Sequence, residues 1–408
     1  MRQVHVRGAC PSLPVPMETG DGLLVRLIVN APIPLDAFIG LCDAARMHGN
    51  GTMEVSARGS LQVRGLTSLS APLFAAALAA LDIAMNDGVP ILADPLPDDP
   101  ASPIDANGLA AQLRAAIAEA RLALAPKVSV VVDGGGSVDL DAIAADIRLR
   151  TVMSDKGPRL ELALAGDAVT AAPIAMVATE DAVDEVLVLL KAIAARGADA
   201  RAGDLVTSRA RWPGAALRQT PRGHTIGRHP LKENAFALGL GLAFGHEDAD
   251  ALIALARIAK ENGASWVRPA PDRALLFGPL GAGGAEAMRV AAYRLGFITD
   301  AADPRHRIAA CPGAPSCAHG LIAARALAAE LARHVSLSGD GIAVHVSGCA
   351  KGCAHPTAAP FTIVGCEQGC GIVRDGSARE EPADYVDPAD LAALLDRIAS
   401  KTREAVHA

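Results

Sequence analysis

This chain repeats itself. Gly22–Leu66 lies without gaps on Phe236–Leu280 at a fixed offset of 214 residues, so whatever the first segment folds into has to be built twice. Leu24, Ala37, Ile39, Leu41, Ala45, Gly49, Leu61 and Leu66 meet Leu238, Ala251, Ile253, Leu255, Ala259, Gly263, Leu275 and Leu280. In so alanine-rich a chain, identity alone is weak, and the shared order of elements is stronger. Each copy opens on a β-rich run, Leu23–Asn30 or Ala237–Phe244. A helix follows with apolar residues at i, i+3, i+4 spacing: Phe38, Leu41, Cys42 and Ala45, or Leu252, Leu255, Ala256 and Ala259. Both helices are expected to stop at a glycine in the left-handed conformation, Gly49 or Gly263. Two short strands and an alanine-rich helix (Pro72–Met85 or Glu286–Leu295) complete each unit. The result is βαββα twice, half of a ferredoxin-like layout each time, with the halves expected to complete one sheet together.

Between and after the copies lie further β-rich runs, Val128–Asp133 and Leu160–Leu164, then Ile342–Val346 and Phe361–Val364, each accompanied by alanine-rich helices. The fold class expected is therefore α+β, pseudo-twofold, in four parts: residues 1–85, 86–231, 232–298 and 299–408. Arg201–His229 carries six arginines with little periodicity and reads as a crossover strap. With 51% hydrophobic and 20% charged residues the chain has ample material for cores. An aromatic content of 3% and a net charge of −7 leave neither the stacking platforms nor the basic face that nucleic-acid binding needs. Polybasic membrane attachment is excluded on the same charge. The longest apolar run, Ala71–Met85, is broken by Asp82 and is shorter than the roughly 20 residues of a membrane span; it reads as a buried helix. Met1–Pro11 has no apolar stretch of the secretory kind. A cytoplasmic protein with reduced thiols is expected, so eight cysteines call for an explanation other than disulfides.

Four of them supply one. Cys311 and Cys317 are separated by five residues, Cys349 and Cys353 by three. Four thiolates from two loops are what a [4Fe–4S] cubane requires. Pro312, Gly313 and Pro315 keep the first loop irregular; Gly348 and Gly352 let the second wrap closely. A helix over His319–Arg333, starting just after Cys317, would turn its positive end to an anionic cluster. Structural zinc fits the five-residue gap less well, and four unrelated buried thiols are the plain alternative. Cys366 and Cys370 repeat the three-residue gap and compete for the second pair, although they look more like a turn after a strand. Cys42 sits on an apolar helix face and reads as core, whereas Cys10, in a Gly-flanked loop, is open to a site role.

The cysteine spacing and the duplicated βαββα unit resemble the sirohaem-dependent sulfite and nitrite reductases over nearly the whole chain. That resemblance implies a [4Fe–4S] cluster on Cys311, Cys317, Cys349 and Cys353, with the last bridging to sirohaem in the reductases. Arg58 and Gln62 resemble the family's Arg-Gln-x-x-Gln stretch, with Gly59 in place of the first Gln. Elsewhere the anion-binding cations thin out. Asn86-Asp87-Gly88 stands where Asn-Arg-Asn is expected, and Lys127 remains while Ser129 replaces a second lysine. Losing two of four cations and gaining an aspartate weakens capture of a dianion such as sulfite in a dry site.

One branch, the precorrin-3B synthases, is more similar. Arg7–Pro11, Thr19–Arg26, Arg268–Arg273 and Ser347–Pro356 resemble it, with Asp272 where Trp is commoner. The branch implies an oxidoreductase, a monooxygenase of cobalamin biosynthesis that uses O2 and an electron donor (NADH or a reductase) on precorrin-3A. It hydroxylates C20 and closes a γ-lactone. A pocket shaped for a polycarboxylate tetrapyrrole cofactor would then hold a polycarboxylate tetrapyrrole substrate. Arg58, Lys127, Arg268 and Arg273 are the expected carboxylate contacts. The branch is also associated with a mononuclear non-haem iron; His319, His345 and His355 lie near the cluster cysteines in sequence. Sirohaem, and sulfite or nitrite reduction, remain the alternative.

Overall fold

A computed structural model describes residues 11–86, 88–155, 157–206, 223–335, 337, 341–387, 389–390 and 394. Cys10, Arg7, Asp87 and the strap residues Arg209, Arg211, Arg218 and Arg222 lie outside the described residues.

The first copy is built from β1 (Met17–Thr19), β2 (Gly22–Leu27), β3 (Ile33–Pro34), α1 (Leu35–His48), β4 (Thr52–Val55), β5 (Leu61–Leu66) and α2 (Ser70–Ala79). Next come β6 (Ile91–Ala93), α3 (Ala106–Ala120), β7 (Val130–Asp133), β8 (Ala145–Ser154), β9 (Gly157–Gly166), β10 (Ala172–Val177) and α4 (Ala182–Ala194). The second copy follows as β11 (Gly227–Pro230), β12 (Phe236–Gly241), β13 (His246–Asp248), α5 (Ala249–Glu261), β14 (Trp266–Ala270), β15 (Ala274–Leu280) and α6 (Ala282–Arg294). The last segment carries β16 (Ile308–Ala310), α7 (Ala324–His334), β17 (Val344–Ser347), β18 (Ala359–Cys366), β19 (Gly369–Gly376) and β20 (Asp384–Val386).

The two copies do not complete one sheet, as the sequence suggested. They form two sheets, ordered β1-β2-β5-β4-β13 and β11-β12-β15-β14-β3, and each takes its fifth strand from the other copy. The short β3 and β13 follow a crossover and satisfy the open edge of the opposite sheet, with Ile33 against Val267 and Glu247 against Met53. What the copies share is a core. Phe38, Leu41, Cys42 and Ala45 of α1 are fully buried with Leu255, Ala256 and Ala259 of α5, as the helical spacing predicts. The symmetry is visible in charge as well: Asp36 accepts from Lys260 Nζ at 2.6 Å, and its counterpart Asp250 accepts from Arg46 at 3.0 Å. Both pairs are exposed and hold register rather than much energy.

Two local expectations change. Gly263 is left-handed at φ +96°, but Gly49 is extended at φ −109°. Space is what selects glycine there, because a Cβ would stand 2.4 Å from the Arg64 carbonyl oxygen. The apolar run after β5 is not a buried helix either. α2 stops at Ala79 and buries only Phe74 and Leu78, leaving Leu73 57% exposed; alanine supplies hydropathy without needing burial.

The duplication extends past the repeat that the sequence displays. Strands β6, β7 and β8 are parallel and continue antiparallel into β9 and β10; β16, β17 and β18 are parallel and continue antiparallel into β19 and β20. Each such sheet packs on its own helices over its own core. Docking is crossed: the first copy's sheet lies on the last segment, through Glu54 to Arg325 (2.6 Å), and the second copy's on the α3 segment, through Arg268 to Asn107 (3.0 Å).

Candidate functional site

The last segment puts two loops side by side because β16 and β17 are parallel neighbours and both end at the same edge. Cys311 is the first residue beyond β16, and Gly348-Cys349 follow β17. The loops are tied by Leu321 N–H to the Gly348 carbonyl (2.8 Å) and, within the first loop, by Cys317 N–H to the Gly313 carbonyl (2.8 Å). Gly348 N–H donates to Cys311 Sγ at 3.0 Å. A Cβ at Gly348 would lie 2.9 Å from Gly313 Cα and 3.4 Å from that sulfur, so the loops close only over glycine. The helix expected over His319–Arg333 starts later, at Ala324. Its first turn is spaced from Cys317 by the turns that carry Gly320 and Leu321.

The four sulfurs feel one another. Burial pushes the Cys311 thiol up, and Cys317 and Cys349 push it further. The Cys353 thiol is raised by burial, then by Cys311, Cys349 and Cys317, with Lys351 opposing. Sulfurs that influence one another in this way are neighbours, and the raised Cys311 and Cys353 thiols would have to give up their protons to bind metal. Cys366 and Cys370 form a separate pair in the β18–β19 hairpin. Cys370 is fully buried and its thiol is pushed up to about 11 by burial and by Cys366, with none of the other four contributing. All seven described cysteines are free thiols, and Cys42 is core as expected.

The other half of the molecule closes the matching pair of loops without sulfur. Asp94 is the first residue beyond β6, as Cys311 is beyond β16, and Gly134 stands 214 residues before Gly348. Gly134 N–H donates to Asp94 Oδ1 at 2.9 Å, the counterpart of Gly348 N–H on Cys311 Sγ. Ser102 Oγ closes on the same carboxylate at 2.9 Å, while Asp99 accepts from the Ser137 hydroxyl at 2.9 Å. One half fastens its two loops with buried carboxylates. The other places sulfur where the carboxylate stood, and a backbone N–H aimed at it favours the anionic form. The donor set and its spacing on two loops fit a cubane. Among the described residues no three His, Cys, Asp or Glu side chains stand close enough together to hold a metal ion as they are placed, the four cysteines included.

Behind the first cysteine loop stands a brace that sequence reasoning missed. Arg64, on β5, is 4% exposed and donates Nε and Nη2 to Asp21 at 3.0 and 2.7 Å. Its Nη2 also reaches the Ser316 carbonyl at 2.9 Å. Gly20 lies flush on the loop, where a Cβ would meet Ala318 N at 2.6 Å. Burial alone would raise the Asp21 carboxyl, but the hydrogen bonds from Arg64 and Thr19 outweigh it and hold the group below its ordinary value. The sequence pattern does not mark it: alternation along LQVRGL turns Leu61 and Val63 to the core and Arg64 to the other face.

The expected substrate contacts scatter. Arg58 and Arg268 line one cavity. Arg58 is exposed and donates to the Ala144 carbonyl and, at 3.4 Å, to Ser129 Oγ. Lys127 is exposed, two residues from that serine. Arg273 stands apart, its two terminal nitrogens spent on the carbonyls of Ile308 (2.9 Å) and His306 (2.6 Å). His319 lines a concavity of about 470 Å³ with Cys349, Ala350, Lys351 and Arg379, so an open hollow adjoins the second cysteine pair. His345 is fully buried on β17, its ring 5.8 Å from that of His355, and burial pushes it down to about 4.

The comparisons with known proteins agree with this geometry. No family model matches the chain. The NirA protein of Mycobacterium tuberculosis superposes with a TM-score of 0.71 over 93% of this chain and 80% of its own, at 16% identity, so the nitrite/sulfite reductase-like α+β fold is shared. Precorrin-3B synthase of Sinorhizobium sp. is 37% identical over 98% of this chain and 89% of its own length. At that identity over nearly both full lengths, the chain belongs to the precorrin-3B synthase family.

Proposed function

We propose that the chain hydroxylates precorrin-3A at C20 with O2 and closes the γ-lactone, an oxidoreductase step of cobalamin biosynthesis. The observation that carries this is the sulfur-for-carboxylate exchange at Cys311, on a loop packed against the one whose Cys349 lines an open hollow. Cys311, Cys317, Cys349 and Cys353 would hold a [4Fe–4S] cluster, which supplies single electrons when bound. The protein's own share is to grip and orient. Arg58, Lys127 and Arg268 take substrate carboxylates as planar forks or point charges, while Arg273 holds β14 and β15 against the last segment. The ring-A acetate must stay free to attack, so these cations have to clamp the other arms more tightly. An electron donor such as NADH or a reductase completes the partners. The enzyme is placed in the cytoplasm by this reading; separately, no described helix is long and apolar enough to cross a membrane.

The test is to reconstitute the full chain anaerobically with iron and sulfide, then supply precorrin-3A, a reductant and ¹⁸O2. One labelled oxygen in a hydroxylactone product is expected by mass spectrometry. Unlabelled precorrin-3A together with turnover of sulfite or nitrite would transfer the chain to the reductase reading.

A further inference from the structure

The two halves differ at one place where the difference leaves a hole. Phe244 of the second copy is 6% exposed and packs against Ile308, Ala310 and Cys311 in the core of the last segment. Beside it Arg273 caps the carbonyls at the start of β16. The residues 214 positions earlier are Asn30 and Gly59, so the first half has neither the ring nor the guanidinium that plugs the second. The space that remains, between β6 and the end of β2, is a cavity of about 50 Å³. It is lined by Asn30, Gly59 and three guanidinium-bearing residues, Arg58, Arg114 and Arg268, with no Asp or Glu in its wall.

Arg58 is engaged with Ala144 and Ser129, whereas the other two guanidinium groups are largely unspent. Among the described residues Arg114 has no partner, and Arg268 has only Asn107 Oδ1, met by Nη2. The Asn30 side-chain amide has none, and its Oδ1 is buried. Either end of that amide can be turned to a ligand. Burial lowers both Arg114 and Arg268; for Arg268 the nearby Asp94, outside the wall, opposes this, and Arg114 then lowers it again. Two cations crowded in a dry space with no anion in the wall are relieved by one arriving from outside. The volume sets its size: about 50 Å³ has room for a few waters, so a single carboxylate arm fits and a macrocycle does not.

We propose that this cavity is an anion site that takes a single alkyl carboxylate, gripped by Arg268 and Arg114 and oriented by the Asn30 amide. The carboxylate can be an acetate or propionate arm of the macrocycle, which rests on the function proposed above, or a free short-chain acid, which does not. The test titrates the full chain with ¹³C-acetate and follows line broadening and saturation by NMR. Wild type is expected to show saturable binding, weakened tenfold or more in both Arg114→Gln and Asn30→Phe. Arg114 is half-buried on a helix, and phenylalanine already occupies the matched position in the other half, so unchanged melting curves are expected to certify both folds. Absence of saturable binding, or equal binding by all three proteins, would overturn the proposal. Uroporphyrin, an octacarboxylate macrocycle, separates the sources. If it displaces acetate and itself binds more weakly to Arg114→Gln, the carboxylate is a substrate arm; if both bind together, it is a free acid. None of these readouts needs the cluster, so failure here leaves the hydroxylation test standing, and the reverse.

Discussion

Cys353→Ser is expected to purify as a folded chain with its iron–sulfur absorbance and O2-dependent activity gone, while Cys370→Ser keeps both. Iron bound after reconstitution should fall from about four per chain to below one in the first variant. The reason is chemical. A serine hydroxyl ionises far above neutral pH and is a hard ligand, whereas a cubane wants thiolate. Folding should survive because Cys353 is exposed, so no packed volume is removed. Cys370 is the opposite case. It is fully buried in a hairpin strand and its charge environment contains only Cys366 and Asp387 besides its own burial. Its replacement puts a hydroxyl into an apolar core and should cost about 1–3 kcal/mol of stability with iron retained. A melting curve and an iron assay on each variant separate the two roles.

Arg64→Ala should lower stability by about 3–5 kcal/mol, because it strands a largely buried Asp21 carboxylate, and should loosen the first cysteine loop enough to reduce iron loading. Three acceptors each lose a donor at once: the two oxygens of Asp21, which keep only Thr19 Oγ1 and Asn50 Nδ2, and the Ser316 carbonyl. Lysine cannot restore a fork that spans them. Asp21→Ala added to Arg64→Ala should recover part of the loss, since the stranded charge is removed. The sign of the pH dependence follows from the lowered Asp21 carboxyl. In the wild type its contribution is complete above the unfolded value of about 3.9 and is lost as pH falls through the lower folded value. Without Arg64 only Thr19 and the backbone still oppose burial, so the carboxyl shifts upward. The variant should then lose stability at a higher pH than the wild type does, which thermal melts across the acid range will read.

Much of the architecture was legible because the repeat is written in the periods that fold it. The helix stripes around Phe38 and Leu252 and the strand grammar after Gly49 and Gly263 survive nearly residue for residue. The exchange of β3 and β13 between sheets was not. Strands of two and three residues carry no pattern, and their partners lie more than 190 residues away. Gly49 was misread for a related reason, since its need is set by the Arg64 carbonyl across the fold rather than by its own helix. At the site, the cysteines were legible as spacing, but their likeness to Asp94 and Gly134 depends on two parallel sheets taking the same form. Arg58 and Arg268 were named as candidates without any sign that they share a cavity; Arg273 was named with them and turned out to be a brace. The absence of a side chain at Gly59 and the smaller one at Asn30 open that cavity, and a missing atom leaves little mark in a single sequence.

The most direct measurement is low-temperature Mössbauer spectroscopy of the full chain reconstituted with ⁵⁷Fe and sulfide. A spectrum dominated by the paired valences of one cubane per chain, absent from Cys353→Ser, is the result this account requires. Iron bound as isolated ions, or a cubane that persists without Cys353 and vanishes without Cys370, would contradict it.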